Sequence, residues 1–232
     1  MTEPVARGGP RVRMTGTQRR AQLLEVGRSL FARKGFDGTS IEEIAAEAGV
    51  SKPVVYEHFG GKEGLYAVVV DREMQSLADR ITTALARADS RGNRALLERA
   101  ALALLEYVES STDGFRILVR DSSVAPAGGT FASLINDIAS QVEHILAAAF
   151  RERDLDPALA PLYSQALVGM VALTGQWWLE ARSPGRQEVA AHLVNLAYNG
   201  LAHLEAAPSL RTPTPPAHGP DGCSCEARPG PG

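Results

Sequence analysis

The chain has 232 residues, of which 44% are hydrophobic and 22% charged, with a formal net charge of −3. Those values suit a soluble globular protein with one large or two small domains and a sizeable core. Two cysteines near the C-terminal end exclude a disulfide framework. Taken whole, the acidic balance argues against nucleic acid as a partner.

The distribution of charge points the other way. Residues 1–62 carry ten Lys or Arg against seven Asp or Glu, and the remaining 170 carry 14 against 20. All three lysines, Lys34, Lys52 and Lys62, lie in the first segment. A basic head on an acidic body is the electrostatic footprint of a DNA-binding module joined to one that does not bind DNA. No apolar run is read as approaching the roughly 18 residues of a bilayer span, and the N-terminal arginines lack an apolar leader core. A cytoplasmic protein without membrane contact is expected.

Residues 1–16 are rich in Pro, Gly and Arg without periodicity and are expected to be disordered. Arg7, Arg11 and Arg13 either reach a phosphate or minor groove when DNA is bound or form a solvated tail, and the tail is favoured. A first helix is predicted over 17–34, with Leu23, Leu24, Leu30 and Phe31 facing inward and Gly35 ending it.

Residues 39–62 (TSIEEIAAEAGVSKPVVYEHFGGK) read as two short helices joined by a tight turn. Thr39 is a suitable N-cap, with Glu42 completing a capping box. Ile41, Ile44, Ala45 and Ala48 recur at helical spacing, and Gly49 ends that helix. Ser51 starts the next, with Pro53 in its first turn. Ala45 lets the helices approach, Gly49 turns the chain and Val55 fills the space between them, as a helix-turn-helix requires. The second helix then offers cationic, hydroxyl and imidazole groups to phosphates and base edges. The candidate DNA-contacting residues are Thr39, Ser51, Lys52, Pro53, Val54, Tyr56, His58 and Lys62.

A long helix is predicted over 62–88, beginning beside the head and ending in a second domain. Helices follow over 94–110 and 113–120, then a loop at 125–129. Thr130 is placed to cap a helix reaching about 154. Two last helices span 157–182, apolar nearly all round, and 186–206. With no strand-like alternation, the expected architecture is all-α, with about nine helices: an N-terminal three-helix DNA-binding domain (17–62) and a C-terminal helical domain (63–206). A helix without a polar face is buried on both sides, so the last two helices are expected to pair with their copies in a four-helix bundle. Residues 207–232 are Pro- and Gly-rich and expected to be disordered; Cys223 and Cys225 are read as tail residues, since no third or fourth metal ligand accompanies them.

The segment 18–70 closely resembles the N-terminal domain of TetR-type one-component transcriptional regulators. The resemblance rests on Leu30, Phe31, Gly35, Phe36, Thr39, Ile44, Ala45, Gly49, Val50, Ser51, Val55, Tyr56, His58, Phe59, Lys62, Glu63 and Leu65. It implies that the helix over 52–59 reads the major groove, and that Tyr56, His58 and Lys62 contact phosphates. It also implies a two-fold dimer through the last two helices and a small effector in the second domain, which assigns ligand binding and dimerisation to residues 63–206. The phrase LVGMVALTGQWWLEAR at 167–182 resembles relatives that respond to acyl-CoA or other lipidic ligands.

Catalytic constellations are missing. GGKEG at 60–64 fails as a phosphate loop, because Tyr56 replaces its first glycine and Glu63 its Ser or Thr. There is no H-E-x-x-H and no G-x-S-x-G, and His144 beside Glu143 faces away from it on a helix. Neither an enzyme nor a resident cofactor or metal is expected. Candidate lining residues for an effector pocket are Leu104, Leu105, Val108, Phe115, Leu118, Phe131, Leu134, Ile138, Met170, Leu173 and Trp177, each of which also fits a solid core. The expected function is that of a dimeric repressor of a palindromic operator, released by a small apolar or acyl-CoA-like effector. The alternative is a DNA-associated structural or protein-interaction module without an effector.

Overall fold

The computed structural model describes residues 14–86, 92–120 and 129–209. Arg7, Arg11, Arg13, Cys223 and Cys225 lie outside these ranges. Among the described residues the chain forms nine α-helices and no strand.

Helix α1 (Gly16–Lys34) starts one residue earlier than predicted, because Thr15 caps it in a reciprocal box with Gln18. Helices α2 (Ile41–Glu47) and α3 (Lys52–Phe59) follow, and α4 (Lys62–Ala86) runs 25 residues out of the head into the rest of the molecule. Leu23, Leu30, Phe31, Ile44, Ala45, Val55 and Leu65 are buried together and form the core of the head. At Gly27, a Cβ would meet the Leu65 side chain at 2.9 Å, so a glycine lets α1 and α4 close together. Phe31, Phe36 and Tyr66 extend this core, with ring centroids 5.0 Å apart between Tyr66 and each phenylalanine.

The second set of helices is α5 (Gly92–Ser110), α6 (Thr112–Val119), α7 (Phe131–Arg151), α8 (Ala160–Ala181) and α9 (Arg186–Ala202). Thr130 caps α7 as predicted, in a box with Ser133. Pro157 opens a short 3-10 turn, Pro157–Leu159, capped by Asp156, and α8 begins after it. Helices α5 and α9 run antiparallel: Arg94 stacks over Tyr198 at one end and Arg186 meets Glu109 at 2.8 Å at the other. Helix α6 is wedged between α1, α4 and α5, its Phe115 edge-on to both Tyr107 and Phe131.

Segment Pro157–Ala181 corrects the reading that no apolar run is long enough for a membrane. By length and composition it qualifies, with a mean hydropathy of 1.3 in its most apolar window. One of its faces, through Ser164, Val168, Ala172, Gly175 and Leu179, is buried in this chain. The other carries exposed Leu162, Leu173 and Trp177.

Candidate nucleic-acid interface and ligand cavity

The turn between α2 and α3 is built as its sequence demands. Gly49 adopts φ 63°, a left-handed conformation that a β-carbon disfavours. Val50 N–H then donates to the Ala45 carbonyl at 2.9 Å, and Gln22 of α1 donates to the Ala48 carbonyl at 3.1 Å. Val55 is fully buried behind the turn. Its burial points the opposite face of α3 outward: Lys52, Pro53, Tyr56 and Glu57 are exposed and Val54 is half-buried. Tyr56 is 54% exposed, a large aromatic left standing in solvent.

The cap of α2 differs from the sequence expectation. Ser40, not Thr39, holds the N-cap, with Glu43 completing its box. Both residues are good caps, and the choice falls to Ser40 because the Thr39 hydroxyl donates instead to the Gly35 carbonyl at 2.7 Å. Thr39 is 2% exposed, which removes it from the DNA-facing surface. Ser51 occupies the N-cap position of α3, but its side chain makes no cap hydrogen bond. That leaves its hydroxyl available to a phosphate, while Pro53 has no N–H and the Val54 N–H already donates to the Ser51 carbonyl at 3.0 Å.

His58 and Lys62 are half-buried rather than fully presented. Lys62 donates to the Phe36 carbonyl at 3.0 Å while its ammonium sits 4.1 Å from the Phe36 ring centre. An ammonium carries three donors, so two remain for a phosphate. Arg20, which is not among the predicted site residues, donates to the His58 carbonyl at 2.5 Å and covers the Phe59 ring at 4.3 Å. It locks the C-terminal end of α3 to α1 and neutralises that end's dipole. An arginine 38 residues from its partner leaves no local sequence signal.

Other cations of the head are held by acids of α2. Lys52 pairs with Glu42, Lys34 with Glu43 at 2.5 Å and Arg33 with Glu47 at 3.0 Å. The Lys52 hydrogen bond, ahead of the backbone, keeps the Glu42 carboxyl below its ordinary range, and Lys34 then Ser40 do the same for Glu43. Both acids therefore stay ionised to a lower pH than an ordinary glutamate, and the pairs are lost as pH falls through their lowered pKa values. A phosphate bound at α3 would compete with Glu42 for Lys52. Glu42→Gln is expected to raise non-specific DNA affinity several-fold and to steepen the salt dependence toward one more phosphate contact. Fluorescence anisotropy between roughly 50 and 200 mM salt measures both.

Behind the head, α4, α5, α7, α8 and α9 line a partly open cavity of about 440 Å3. Its wall is almost wholly aliphatic, from Leu77, Ile81 and Leu85 on α4 to Val168, Val171 and Ala172 on α8. Such a volume and lining fit a drug-sized apolar ligand. Of the predicted lining residues, Leu104 and Ile138 face this space. Leu105, Val108, Phe115, Leu118 and Leu134 are instead buried in the solid core, with Phe131 and Met170 packed against it. Leu173 and Trp177 point outward, 66% and 55% exposed, which corrects their assignment to the pocket. Helix α8 is apolar all round, so its sequence carries no information about its rotation. The wall residues Ile145, Leu146, Ala149 and Phe150 continue the apolar face of α7, and that continuity is the signal in the sequence that points to them.

Head and cavity share α4, and two polar ties reinforce the junction. Arg28 on α1 lies 3.8 Å from Glu73 on α4, whose carboxylate accepts the Tyr107 hydroxyl of α5 at 2.5 Å. Arg120, just past α6, donates to the Phe31 carbonyl near the end of α1 at 3.3 Å. No cluster of three metal-ligating side chains occurs among the described residues.

An outward helix braced by a valine-filled turn, joined by one long helix to an apolar cavity, defines a helix-turn-helix DNA-binding regulator. Known proteins of that class match this chain. Residues 23–69 match the family described as bacterial regulatory proteins, tetR family, and residues 80–212 match the tetracyclin repressor-like C-terminal domain. The chain is 28% identical over 197 residues to the HTH-type transcriptional activator FasR of Mycolicibacterium smegmatis, covering 83% of this chain and 87% of that protein. The crystal structure of a tetR-family transcriptional regulator from Streptomyces coelicolor superposes with a TM-score of 0.60 at 28% identity over 82% of each chain. A TetR-like transcriptional regulator from Rhodococcus sp. RHA1 shares the fold at 24% identity, with a TM-score of 0.63 over 82% of this chain and 99% of that one. This chain belongs to the TetR family: it is a DNA-binding transcriptional regulator and not an enzyme.

Proposed function

We propose that two copies of the chain grip a near-palindromic operator and that a small, apolar, acyl-type effector releases them. The observation that carries this reading is that α4 serves both sites. It starts at Lys62 beside α3 and lines the cavity at Leu77, Ile81 and Leu85. A ligand that wedges the cavity moves one end of a 25-residue rod, and the other end carries the reading head with it.

Pairing of copies is supported by the exposed apolar residues of α8 and α9, and a two-fold axis sets two heads about 34–36 Å apart, one turn of DNA. Release from a promoter-blocking operator makes the chain a repressor; the same release upstream of a promoter withdraws an activator, the role named for FasR. The cavity weighs against an effector-free interaction module. In an anisotropy titration on operator DNA, hexadecanoyl-CoA is expected to weaken binding five- to 150-fold, with operator weakening the ligand by the same factor. An operator affinity indifferent to every chain-bearing ligand overturns the effector half of this reading.

A further inference from the structure

The cavity wall has one polar end. Among the described residues its only polar side chains are those of Asn93, Arg153 and Tyr198, beside some twenty aliphatic or aromatic neighbours. The antiparallel packing brings these three together: Asn93 begins α5, Tyr198 lies in the last turns of α9, and Arg153 follows the end of α7. From there the wall is apolar back to Ile135, and Ile135 to Phe150 alone covers roughly 22 Å of helix at 1.5 Å per residue.

Arg153 is the decisive group. Its guanidinium donates to the Leu201 and Ala202 carbonyls at 2.7 and 2.9 Å. Two of its five N–H donors are thereby occupied, and no carboxylate among the described residues pairs with it. An exposed cation, anchored to backbone carbonyls and without a carboxylate partner among the described residues, at one end of an otherwise apolar cavity selects a ligand of matching asymmetry. We infer that the effector is a single-chain amphipath with an anionic head, held by Arg153 at the junction of α5, α7 and α9 while its tail runs toward Ile135 and Leu104. This rests on the effector reading above and adds to it the head-group chemistry, its orientation and the residue that reads it. An orientation with the head toward Leu104 would bury a charge among leucines, which is far costlier.

The test measures dissociation constants of hexadecanoate, hexadecanoyl-CoA and hexadecanol for the full chain, by isothermal titration calorimetry below the micellar concentration of each. The alcohol is the neutral control, and the two anions distinguish a carboxylate head from a phosphate-bearing one. Arg153→Gln keeps a donor for the α9 carbonyls and removes the charge; Arg153→Lys keeps the charge. At least one anion is expected to bind tenfold or more tighter than the alcohol, to lose about that factor in Arg153→Gln and to recover most of it in Arg153→Lys. Hexadecanol unchanged by either substitution completes the expected pattern. Equal affinity for anion and alcohol, or equal loss of both in Arg153→Gln, overturns the inference, since Arg153 would then only cap α9. Absence of binding by all three probes in the unsubstituted chain overturns the chain-bearing effector itself, a different and separable failure.

Discussion

Leu173→Glu combined with Trp177→Glu is expected to leave each copy folded but unable to pair. The two residues lie one turn apart on the outer face of α8, with Leu162 and the opening at Gly169 on the same stripe and Leu196 on the neighbouring α9. Within one chain these side chains touch solvent, so the double substitution should change the melting temperature and the helical signal little. Across a two-fold axis each substitution occurs twice. Burying a large apolar side chain contributes about 1.5–3 kcal/mol, and an unpaired carboxylate put in its place adds several kcal/mol of desolvation. Loss of three or more decades in dimer affinity follows, at about 1.4 kcal/mol per decade. Sedimentation velocity at micromolar concentration should show a monomer. Operator affinity should fall toward the non-specific level, which for DNA-binding proteins lies roughly 10³- to 10⁷-fold weaker. A variant that remains dimeric would place the pairing surface elsewhere.

Tyr107→Phe is the second large effect, and it reports on the junction between head and body. The Tyr107 ring is fully buried, and its hydroxyl donates to the Glu73 carboxylate that Arg28 approaches from α1. Gly114 of α6 passes so close to the Tyr107 hydroxyl and Glu73 that a β-carbon there would force the pair to shift. Removing the hydroxyl takes away the donor that satisfies a nearly buried carboxylate, at a cost of about 1–3 kcal/mol. In a chain of this size that lowers the melting temperature by roughly 2–4 °C per kcal/mol.

The pH dependence separates this from loss of packing. Burial first, then the hydrogen bond to Glu73, push the Tyr107 hydroxyl far above its ordinary value of 10.0. The folded chain therefore keeps a proton that the unfolded chain releases. This stabilisation is complete below about pH 10 and is lost above it by about 1.4 kcal/mol per pH unit. Unfolding free energies of the parent chain from denaturant titration should gain that slope as pH rises past that point, and those of Tyr107→Phe should fall with one proton less. An identical slope in both proteins would mean that the hydroxyl is solvated in the folded state.

Such coupling is invisible in the linear chain, although the reading head is almost wholly legible there. Ala45, Gly49 and Val55 constrain backbone and packing within ten residues of one another, so local spacing suffices to specify their geometry. Ser51, Pro53 and Gly60 mark the two ends of α3 by rules of capping that act over a single turn. Even the discrepancy at Thr39 is local: two adjacent hydroxyls compete for one cap, and a carbonyl just past α1 removes Thr39 from the contest.

What the amino-acid order determined by itself, then, is an all-helical chain with a groove-reading helix and an acidic body behind it. Only the tertiary structure decided which faces of the body helices close on one another. Helix α8 shows why: with apolar residues on every side, its order of residues is compatible with any rotation about its axis. Packing against α5 and α7 turned Val168 and Ala172 to the cavity and left Leu173 and Trp177 outside. The same packing brought Asn93, Arg153 and Tyr198, separated by up to 105 residues, to one end of that cavity. Helical periodicity encodes how strongly a helix is sided, and long-range contacts alone choose the orientation when it is not sided at all.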